Sequence, residues 1–445
     1  MNSFDISKIK NVHFIGIGGI GMSALARLLV HEGKKVSGSD RTITPITCGL
    51  EALGIVFNKE QVKKNITNDI ELVVYTEAMS KDQEEMVAAR TLDVPMMSYF
   101  EALGLIANEY YLIAVAGAHG KTTTTAMLID VLEEAGLDPT AIVGSLRLSA
   151  CDAQAGSKTG SNFRPGKSKY FIVEACEYKR DFLSLEPDIL VITNLEYEHV
   201  DYYKNLADVQ DAFKTLSKKV PEGGVIIANL GDDNVTPCIE GVNVKVIDYA
   251  KFVDPLLSLK VPGLHNQMNA AAARAAAEYL GIKPLSIRKA LENFAGTWRR
   301  FEYKDEVNGA KIYDDYAHHP TEIRAAIAGA RELYPDKKLT VVFQSHTYSR
   351  THELFDDFVI ELAKADRILL VPIYAAREEN VSGVSHHKLA EAIKKTNSNV
   401  QTLDSFDEIV IELKNTISDK DVVIVMGAGD ITKVTERYLT KGLLS

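Results

Sequence analysis

Residues 111–128, YLIAVAGAHGKTTTTAML, constrain the fold more than any other stretch of the chain. The apolar run over residues 111–116 is typical of a buried strand, and Lys121 opens a helix pattern. The loop between them consists of Gly117, Ala118, His119 and Gly120. Backbone N–H groups at the start of a helix hold an anion, and glycines let a phosphate approach them closely. The stretch therefore predicts a strand–loop–helix cradle for phosphate.

The residues after this loop extend the prediction to a nucleotide. Lys121 is placed to reach the β- and γ-phosphates, and Thr122 or Thr123 offers a hydroxyl to Mg²⁺. The full GxxxxGK[ST] pattern is not met, because Val115 occupies the position of its first glycine. Strand, loop, lysine and hydroxyls still fall in the order that a nucleotide site requires.

The size and charge of the chain limit its class. At 445 residues it is too long for one hydrophobic core and is expected to fold as about three domains. Its net charge of −11 argues against nucleic acid as a main partner. The cysteines, which show no CxxC spacing, are Cys48, Cys151, Cys176 and Cys238. A reduced chain without structural zinc or a membrane span is expected, which indicates a cytoplasmic protein.

A second glycine loop, GIGGIG, lies near the N-terminus. It follows a predicted strand at residues 12–15 and opens a helix; its glycines are Gly16, Gly18, Gly19 and Gly21. Asp40 comes directly after the next strand, which suits a diphosphate on the helix N-terminus and an acid near a ribose. Thr76 ends the strand at residues 70–75, where open α/β sheets bind ligands. The motif alone would equally suit a dinucleotide such as NAD.

Two polar residues follow strands of the central segment, on the side of the phosphate loop. Glu174 ends a predicted strand at residues 170–173, and His199 lies beyond another at residues 188–193. A carboxylate can hold Mg²⁺ beside a phosphate. Imidazole is a less usual ligand for this ion, so a structural role for His199 is equally open. Residues 156–166 are rich in Gly, Ser and Asn and predict a surface loop.

The last third of the chain again alternates strands and helices, which predicts a second doubly wound parallel sheet. Before it, the helix pattern over residues 263–279 carries Asn269, whose amide could read a base edge. Polar residues cluster at predicted strand ends, where such sheets bind ligands. They are Arg299, Arg300, Asp315, His318, His319, His346 and Arg350.

Taken together, these motifs resemble the Mur ligase family over essentially the whole chain. The matching stretches, in family order, are HFIGIGGIGMSALA, AGAHGKTTTT, VEA, TNLEYEHVD, GLHNQMNAAAA, WRRFE, DDYAHHPTEI and QSHTYSRT. The resemblance implies an α/β fold in which two Rossmann-like doubly wound domains flank a central P-loop ATPase domain. The implied domains are residues 1–107 for a UDP-sugar, 108–296 for ATP and 297–445 for an amino acid. In this family the first glycine loop holds the UDP diphosphate rather than NAD.

The resemblance implies ATP-dependent amide formation. It is nearest to the members that join L-alanine to UDP-N-acetylmuramate during synthesis of peptidoglycan precursors. In these enzymes the lactyl carboxylate attacks the γ-phosphate to give an acyl phosphate and ADP. The amine of L-alanine then attacks the carbonyl, and phosphate leaves. ATP and Mg²⁺ are the implied cofactors, and a monomer or weak homodimer is expected.

Roles for single residues also follow from the resemblance. Lys121 would contact the β/γ-phosphates within the loop that includes Gly117, His119 and Gly120, with Thr122 or Thr123 on one Mg²⁺. Glu174 and His199 would hold a second metal ion between the γ-phosphate and the acyl oxygen. Asn269 would face adenine, Arg300 the phosphates and Asp315 the nucleotide ribose or its surroundings. The residues implied to contact the UDP-sugar are Gly16, Gly18, Gly19, Gly21, Asp40 and Thr76.

The third domain would supply the amino-acid site, and its closure is expected to complete the active site. The residues implied here are Tyr316, His318, His346 and Arg350. Arg350 would pair with the substrate carboxylate, and His318 is a candidate base. Thr347 stands where many alanine-adding members have a second arginine, which leaves glycine and serine open as substrates. Lys214 lies near the position of a carbamylated lysine in sister ligases, but the alanine-adding members are not expected to use one.

Three other functions remain as alternatives at this stage. The nearest is the recycling ligase of the same family, which attaches a tripeptide to the same UDP-sugar. An NAD-dependent oxidoreductase would rest on the first glycine motif alone. A P-loop switch without ligase chemistry would have no use for the histidines and arginines that converge in the last third of the chain.

Overall fold

A computed structural model describes residues 4–147, 161–200, 202–376 and 378–440. Within these residues, strands alternate with helices and form three largely parallel sheets. The chain divides into two compact units, the first made of residues 1–257 and 269–293, and the second of 258–268 and 294–445. The first unit contains two of the sheets, so the three predicted domain limits stay a prediction.

The first sheet is entirely parallel, with the strand order β3-β2-β1-β4-β5. Its strands are β1 (Asn11–Ile15), β2 (Lys35–Ser39), β3 (Val56–Asn58), β4 (Leu72–Tyr75) and β5 (Met96–Ser98). The helices are α1 (Ile20–His31), α2 (Pro45–Glu51), α3 (Glu84–Thr91) and α4 (Tyr99–Ala107). The strand order reverses between β1 and β4, which places the glycine loop after β1 beside the end of β4. This reversal point is where such sheets bind ligands.

The second sheet has the order β12-β11-β10-β6-β9-β7-β8, and only β8 of these strands runs antiparallel to its neighbour. Its strands are β6 (Tyr111–Ala116), β7 (Thr140–Arg147), β8 (Ser161–Arg164), β9 (Tyr170–Glu174), β10 (Ile189–Ile192), β11 (Val225–Ala228) and β12 (Lys245–Asp248). The helices of this part of the chain are α5 (Lys121–Glu134), α6 (Leu206–Ser217), α7 (Thr236–Ile239), α8 (Leu264–Tyr279) and α9 (Pro284–Asn293). Because β6 lies between β9 and β10, the segments that follow these three strands come together.

Part of the predicted surface loop at residues 156–166 is a strand instead. β8 pairs with β7, and α1 packs against both. The side-chain amide of Asn162 on β8 donates to the hydroxyl of Ser23 on α1 at 2.9 Å, so a polar residue of this stretch is buried rather than exposed. Residues 156–160 of this stretch, and Cys151, lie outside the described residues.

The third sheet has the order β13-β14-β18-β15-β16-β17 and is parallel except for the hairpin of β13 and β14. Its strands are β13 (Glu302–Val307), β14 (Ala310–Asp315), β15 (Lys338–Phe343), β16 (Arg367–Leu370), β17 (Val400–Thr402) and β18 (Asp421–Met426). The helices are α10 (Pro320–Leu333), α11 (Tyr348–Glu353), α12 (Phe355–Leu362), α13 (His386–Ile393), α14 (Phe406–Thr416) and α15 (Thr432–Leu439). The predicted α/β class is confirmed. None of the helices in the described ranges is long and apolar enough to span a membrane.

Candidate active site

The loop between β6 and α5 depends on two glycines, Gly117 and Gly120, for its backbone conformation. Gly120 caps α5 at φ +82°, a left-handed conformation that glycine adopts without steric cost. Since this cap has no side chain, it cannot occupy the first N–H groups of the helix, which are left to bind an anion. At Gly117, with φ +136°, an added Cβ would lie 2.1 Å from Oγ1 of Thr193. Both positions therefore require glycine.

Two residues at the end of β10 hold the loop in place. The side-chain amide of Asn194 donates to the carbonyl of His119 at 2.9 Å and accepts the N–H of His119 at 2.9 Å. The hydroxyl of Thr193 donates to the same carbonyl at 2.6 Å. These bonds fix the backbone of the loop from the neighbouring strand. The sequence motif TN after a buried strand signals this role, which sequence reasoning missed.

The ammonium of Lys121 points into the loop. It donates to the carbonyls of Gly117 and Ala118 and forms an ion pair of 2.9 Å with Glu177. Burial opposes the charge, but Glu177 outweighs it and raises the pKa of Lys121, so the side chain is an ammonium ion. Glu177 was not among the predicted site residues. It lies three residues beyond Glu174.

The predicted partners of a metal ion meet beside this lysine. The hydroxyl of Thr122 donates to one oxygen of Glu174 at 2.9 Å, and the N–H of Gly144 donates to the other at 2.8 Å. Thr123 is buried in the same helical turn. A hydroxyl and a carboxylate held together next to a phosphate loop are the kind of ligands that Mg²⁺ takes.

His199 meets a different carboxylate from the one predicted. Its Nε2 lies 3.4 Å from Glu177, and ligand atoms of Glu177, Glu198 and His199 all lie within 4.8 Å of one another. Oε1 of Glu198 is buried without a hydrogen-bond partner in the part of the chain that the structure describes. An unpartnered buried carboxylate oxygen is costly, and a cation beside it would remove that cost. These donors therefore fit a divalent cation, although the joint role of Glu174 and His199 stays a prediction. Asp201, in the same motif, lies outside the described residues.

Asn269 lies against the phosphate loop. It is buried, and a Cβ added to Gly120 would approach its amide oxygen to 2.3 Å. Asn269 is therefore close to the loop between β6 and α5. Its contact with adenine stays a prediction.

The first glycine loop brings its predicted residues together at the reversal point of the first sheet. The N–H of Gly18 donates to the carboxylate of Asp40 at 3.0 Å. Gly16 has φ +85°, and a Cβ there would lie 2.6 Å from the methyl group of Thr76. Gly19 caps α1, and a Cβ on Gly21 would meet the ring of Tyr99 at 2.7 Å. The glycine-capped helix again leaves its first N–H groups to an anion.

In the second unit, Asp315 is fixed by the backbone around it. Its carboxylate accepts the N–H groups of Phe301 at 2.7 Å and Ala317 at 2.6 Å. Burial raises the pKa of Asp315 to about 6, against the opposing effect of Arg300. The guanidinium of Arg300 lies 5.3 Å from the ring centre of Tyr316, a cation–π contact that orients both side chains.

The four residues predicted for the amino acid form one cluster. The ring centres of His318 and His346 are 6.0 Å apart, and the ring of Tyr316 is 5.4 Å from that of His318. A guanidinium nitrogen of Arg350 lies 3.3 Å from Nδ1 of His346. Burial lowers the pKa of His346 to about 4, so its neutral ring can accept this bond at neutral pH. Tyr374, which sequence reasoning missed, stacks on His346 at 5.6 Å.

The hydrogen-bond partners of His318 determine which nitrogen of its imidazole carries the proton. Its Nδ1 lies 3.0 Å from the carbonyl of Tyr316 and 3.1 Å from the carboxylate of Glu322. Two acceptors around Nδ1 favour a proton there, which leaves the lone pair on Nε2. A carboxylate therefore orients the imidazole of His318 as it does in many catalytic bases, and the role of His318 as a base stays a prediction.

Two other residues of the predicted strand-end cluster have structural roles. Arg299 is buried, pairs with Asp314 at 3.1 Å and donates to the carbonyl of Gly429 at 3.2 Å. His319 caps α10 by accepting the N–H of Thr321 at 3.3 Å. Their positions at strand ends therefore serve the fold of the third sheet.

The sequence of this chain matches known protein families and relatives along most of its length. Three family descriptions match successive parts of the chain: "Mur ligase family, catalytic domain" at residues 11–111, "Mur ligase middle domain" at 115–254 and "Mur ligase, glutamate ligase domain" at 299–429. The UDP-N-acetylmuramate–L-alanine ligase of Clostridium kluyveri is 41% identical, over 99% of this chain and 100% of the relative. The chain belongs to the Mur ligase family. The family resemblance found in the sequence is confirmed.

Solved structures of other Mur ligases share the architecture of this one. The UDP-N-acetylmuramate–alanine ligase of Thermotoga maritima aligns with a TM-score of 0.80 and 27% identity, over 97% of this Mur ligase and 98% of that chain. A murein peptide ligase of Psychrobacter arcticus aligns with a TM-score of 0.73 and 25% identity, over 98% and 100% of the two chains. Both comparisons extend over nearly the full length of this Mur ligase.

Proposed function

We propose that this protein joins L-alanine to the lactyl carboxylate of UDP-N-acetylmuramate and cleaves ATP to ADP and phosphate, as one step of peptidoglycan precursor synthesis. The observation that carries the proposal is the cluster of Tyr316, His318, His346 and Arg350, which suits a single amino acid. The name of the Clostridium kluyveri relative, 41% identical over 99% of this chain, supports it. The product is UDP-N-acetylmuramoyl-L-alanine.

The first half of the reaction activates the carboxylate. A carboxylate is a poor acyl donor because oxide is a poor leaving group, and transfer of the γ-phosphoryl group makes a good one. This step brings anions together, so its main need is positioning and neutralisation of charge. Lys121 and the N–H groups at the start of α5 supply positive charge, and we assign Arg300 to the phosphates as well. Asn269 would face adenine, and Asp315 the ribose.

Magnesium belongs to this half of the proposal. Thr122 or Thr123 would hold one ion, and Glu174 and His199 a second, with Glu177 and Glu198 beside His199. When bound, these ions would supply positive charge that neutralises the phosphoryl and acyl oxygens. The protein side chains position these groups and exchange their present partners for phosphate and metal.

The second half of the reaction forms the amide bond. We propose that Arg350 pairs with the carboxylate of L-alanine, and that Tyr316 and His346 shape the pocket around it. The ammonium group must lose a proton before it can attack, and His318 accepts that proton at Nε2. Glu322 keeps the imidazole in the tautomer that this transfer requires.

The UDP moiety is assigned to the first glycine loop. Its diphosphate would lie on the N–H groups at the start of α1, with Asp40 near a ribose and Thr76 at the end of β4. The residues of this part of the proposal are Gly16, Gly18, Gly19, Gly21, Asp40 and Thr76. A cytoplasmic location and a monomer or weak homodimer also belong to the proposal, as do the three domain limits at residues 1–107, 108–296 and 297–445.

One assay tests the proposal and separates it from the recycling ligase. Phosphate release is measured with ATP, Mg²⁺ and UDP-N-acetylmuramate, and L-alanine, glycine, L-serine and the tripeptide are compared as acceptors with mass detection of the product. Fastest turnover with L-alanine is expected, which would also show that Thr347 is tolerated in place of an arginine. Turnover with the tripeptide alone would replace the proposal by the function of a murein peptide ligase. Absence of phosphate release with every acceptor would contradict both.

A further inference from the structure

Two histidines and an aspartate meet at the edge of the third sheet, in a region that the proposed reaction does not use. His386 and His387 are the first residues of α13, and Asp404 follows the edge strand β17. Nε2 of His386 lies 3.0 Å from Oδ1 of Asp404, and Nε2 of His387 lies 3.6 Å from the same oxygen. The three ligand atoms all lie within 4.8 Å of one another.

The two imidazole rings are turned toward the same side. Successive helical positions point about 100° apart, since a turn holds 3.6 residues. The ring centres of His386 and His387 are nevertheless only 4.0 Å apart. Both rings therefore converge on the carboxylate of Asp404.

The spacing of these atoms suits a tetrahedral metal ion. Zinc binds histidine nitrogen and carboxylate oxygen at about 2.0–2.1 Å, which puts adjacent ligand atoms roughly 3.3 Å apart. The two distances to Asp404 lie on either side of that value. Two imidazoles and one carboxylate suit a transition metal, whereas Mg²⁺ prefers oxygen ligands. Water would take the fourth position.

The neighbouring residues orient the proposed ligands toward one point. His386 is buried at the start of α13, with Nε2 directed to Asp404. Nδ1 of His387 lies 3.2 Å from the hydroxyl of Thr402, which leaves Nε2 directed to the cluster. Metal-bound histidines commonly hold their second nitrogen in this way. The start of α13 disfavours a cation, and the charge of Asp404 opposes that effect.

We propose that His386, His387 and Asp404 form a binding site for a zinc-type divalent transition metal, distinct from the magnesium site beside the phosphate loop. The bound ion links the start of α13 to the end of the edge strand β17. It therefore stabilises the edge of the third sheet. The site takes no part in amide formation.

Zinc titration of the metal-stripped, tag-free full-length protein tests this proposal, with a chromophoric chelator as competitor. One site per chain is expected. His387→Ala and Asp404→Asn each remove a ligand and should weaken it by more than about 10–100-fold, the loss that follows removal of a group that only supports a ligand. His31→Ala removes an exposed histidine of α1 and should bind zinc as the unchanged protein does. Equal zinc affinity in His387→Ala, Asp404→Asn and the unchanged protein would overturn the proposal.

Two further measurements distinguish this site from the candidate active site. His199→Ala should bind zinc as tightly as the unchanged protein does. Loss of zinc binding in this variant would place the zinc beside the phosphate loop instead. Zinc should raise the melting temperature of the unchanged protein but not of Asp404→Asn. A zinc-independent melting temperature would contradict the proposed link between α13 and β17.

Discussion

The ammonium of Lys121 and the carboxylate of Glu177 form a buried ion pair of 2.9 Å inside the phosphate loop. Glu177 also lies 3.4 Å from Nε2 of His199. Burial would raise the pKa of Glu177, but Lys121 and His199 outweigh burial and lower it, so the carboxylate is ionised. One acid thus holds both the lysine assigned to phosphate and the histidine assigned to metal. We infer that, when ATP binds, its phosphates replace Glu177 as the partner of Lys121, and a metal ion replaces Glu177 as the partner of His199.

Replacing Glu177 by alanine should destabilise the protein strongly, because it leaves the ammonium of Lys121 buried without its counter-charge. Removing one partner of a buried pair costs about 3–5 kcal/mol of the free energy of unfolding. A non-hydrolysable ATP analogue should restore part of this loss, since its phosphates pair with Lys121. Urea unfolding with and without the analogue measures both effects.

The matched control for this variant is Glu240→Ala. Glu240 pairs with Lys214 at 3.7 Å on the surface, and such pairs contribute no more than about 1 kcal/mol. If Glu177→Ala were as stable as Glu240→Ala, Lys121 would not depend on Glu177 for its charge.

Gly117→Ala should abolish ATP binding, because its Cβ would lie 2.1 Å from the hydroxyl of Thr193, which fixes the loop. Gly136→Ala is a close control, since Gly136 also has a positive φ, +74°, but has no atom within 4 Å of the added Cβ. That change should cost only about 1 kcal/mol of stability and leave ATP binding intact. Calorimetric titration with ATP compares the two. Equal ATP affinities would show that the close approach at Gly117 is unimportant.

His199→Ala should reduce turnover far more than ATP binding. The proposed metal role is strongest when charge develops on the phosphoryl group, so its loss should lower kcat with little change in the affinity for ATP. Steady-state kinetics and equilibrium binding of ATP measure the two separately. Equal losses in both would indicate that His199 supports the loop through Glu177 rather than the reaction through a metal ion.

The imidazole of His346 should titrate near pH 4 in the folded protein, compared with about 6.5 in the unfolded chain. The folded state thus binds fewer protons than the unfolded state between these values. Its contribution to stability is present above pH 6.5 and is lost as the pH falls toward 4. NMR titration of the ring, assigned with His346→Gln, measures the folded value. A midpoint near 6.5 would contradict the burial of this ring.

Unfolding experiments test the same shift independently. The raised pKa of Asp315, about 6, acts in the opposite direction, because protonation of this carboxyl favours the folded state below that pH. The comparison is therefore made between the unchanged protein and His346→Gln. The unchanged protein should lose more stability than the variant between pH 7 and pH 5.

Sequence reasoning predicted the elements whose signals are local. The strand at Tyr111–Ala116 has the predicted limits, because an unbroken apolar run marks it directly. The glycine loops were equally visible, because only glycine accommodates their positive φ or close contacts. The resemblance to one family then supplied the site residues that no spacing rule could assign.

The residues that were missed depend on strand order. Glu177, Thr193 and Asn194 act on the phosphate loop only because β9 and β10 lie on either side of β6. A single sequence shows that these strands exist, but not which of them are neighbours. The antiparallel edge strand β8 was missed for a related reason: its Ser and Asn residues are typical of a loop, yet α1 covers them.

His318→Ala should slow amide formation with L-alanine by about 10²–10⁴-fold, the range for loss of a general base. The variant should still form hydroxamate from hydroxylamine. This weakly basic amine is already unprotonated at neutral pH and therefore needs no base. Glu322→Gln should give a smaller loss of the same kind, because the carboxylate orients His318 through Nδ1 at 3.1 Å and does not itself take the proton from the amine. Rates with both acceptors, under saturating ATP and UDP-N-acetylmuramate, separate the two halves of the reaction. If hydroxamate formation fell as far as amide formation in His318→Ala, the histidine would serve phosphoryl transfer or the fold, and the base would have to be sought elsewhere in the cluster.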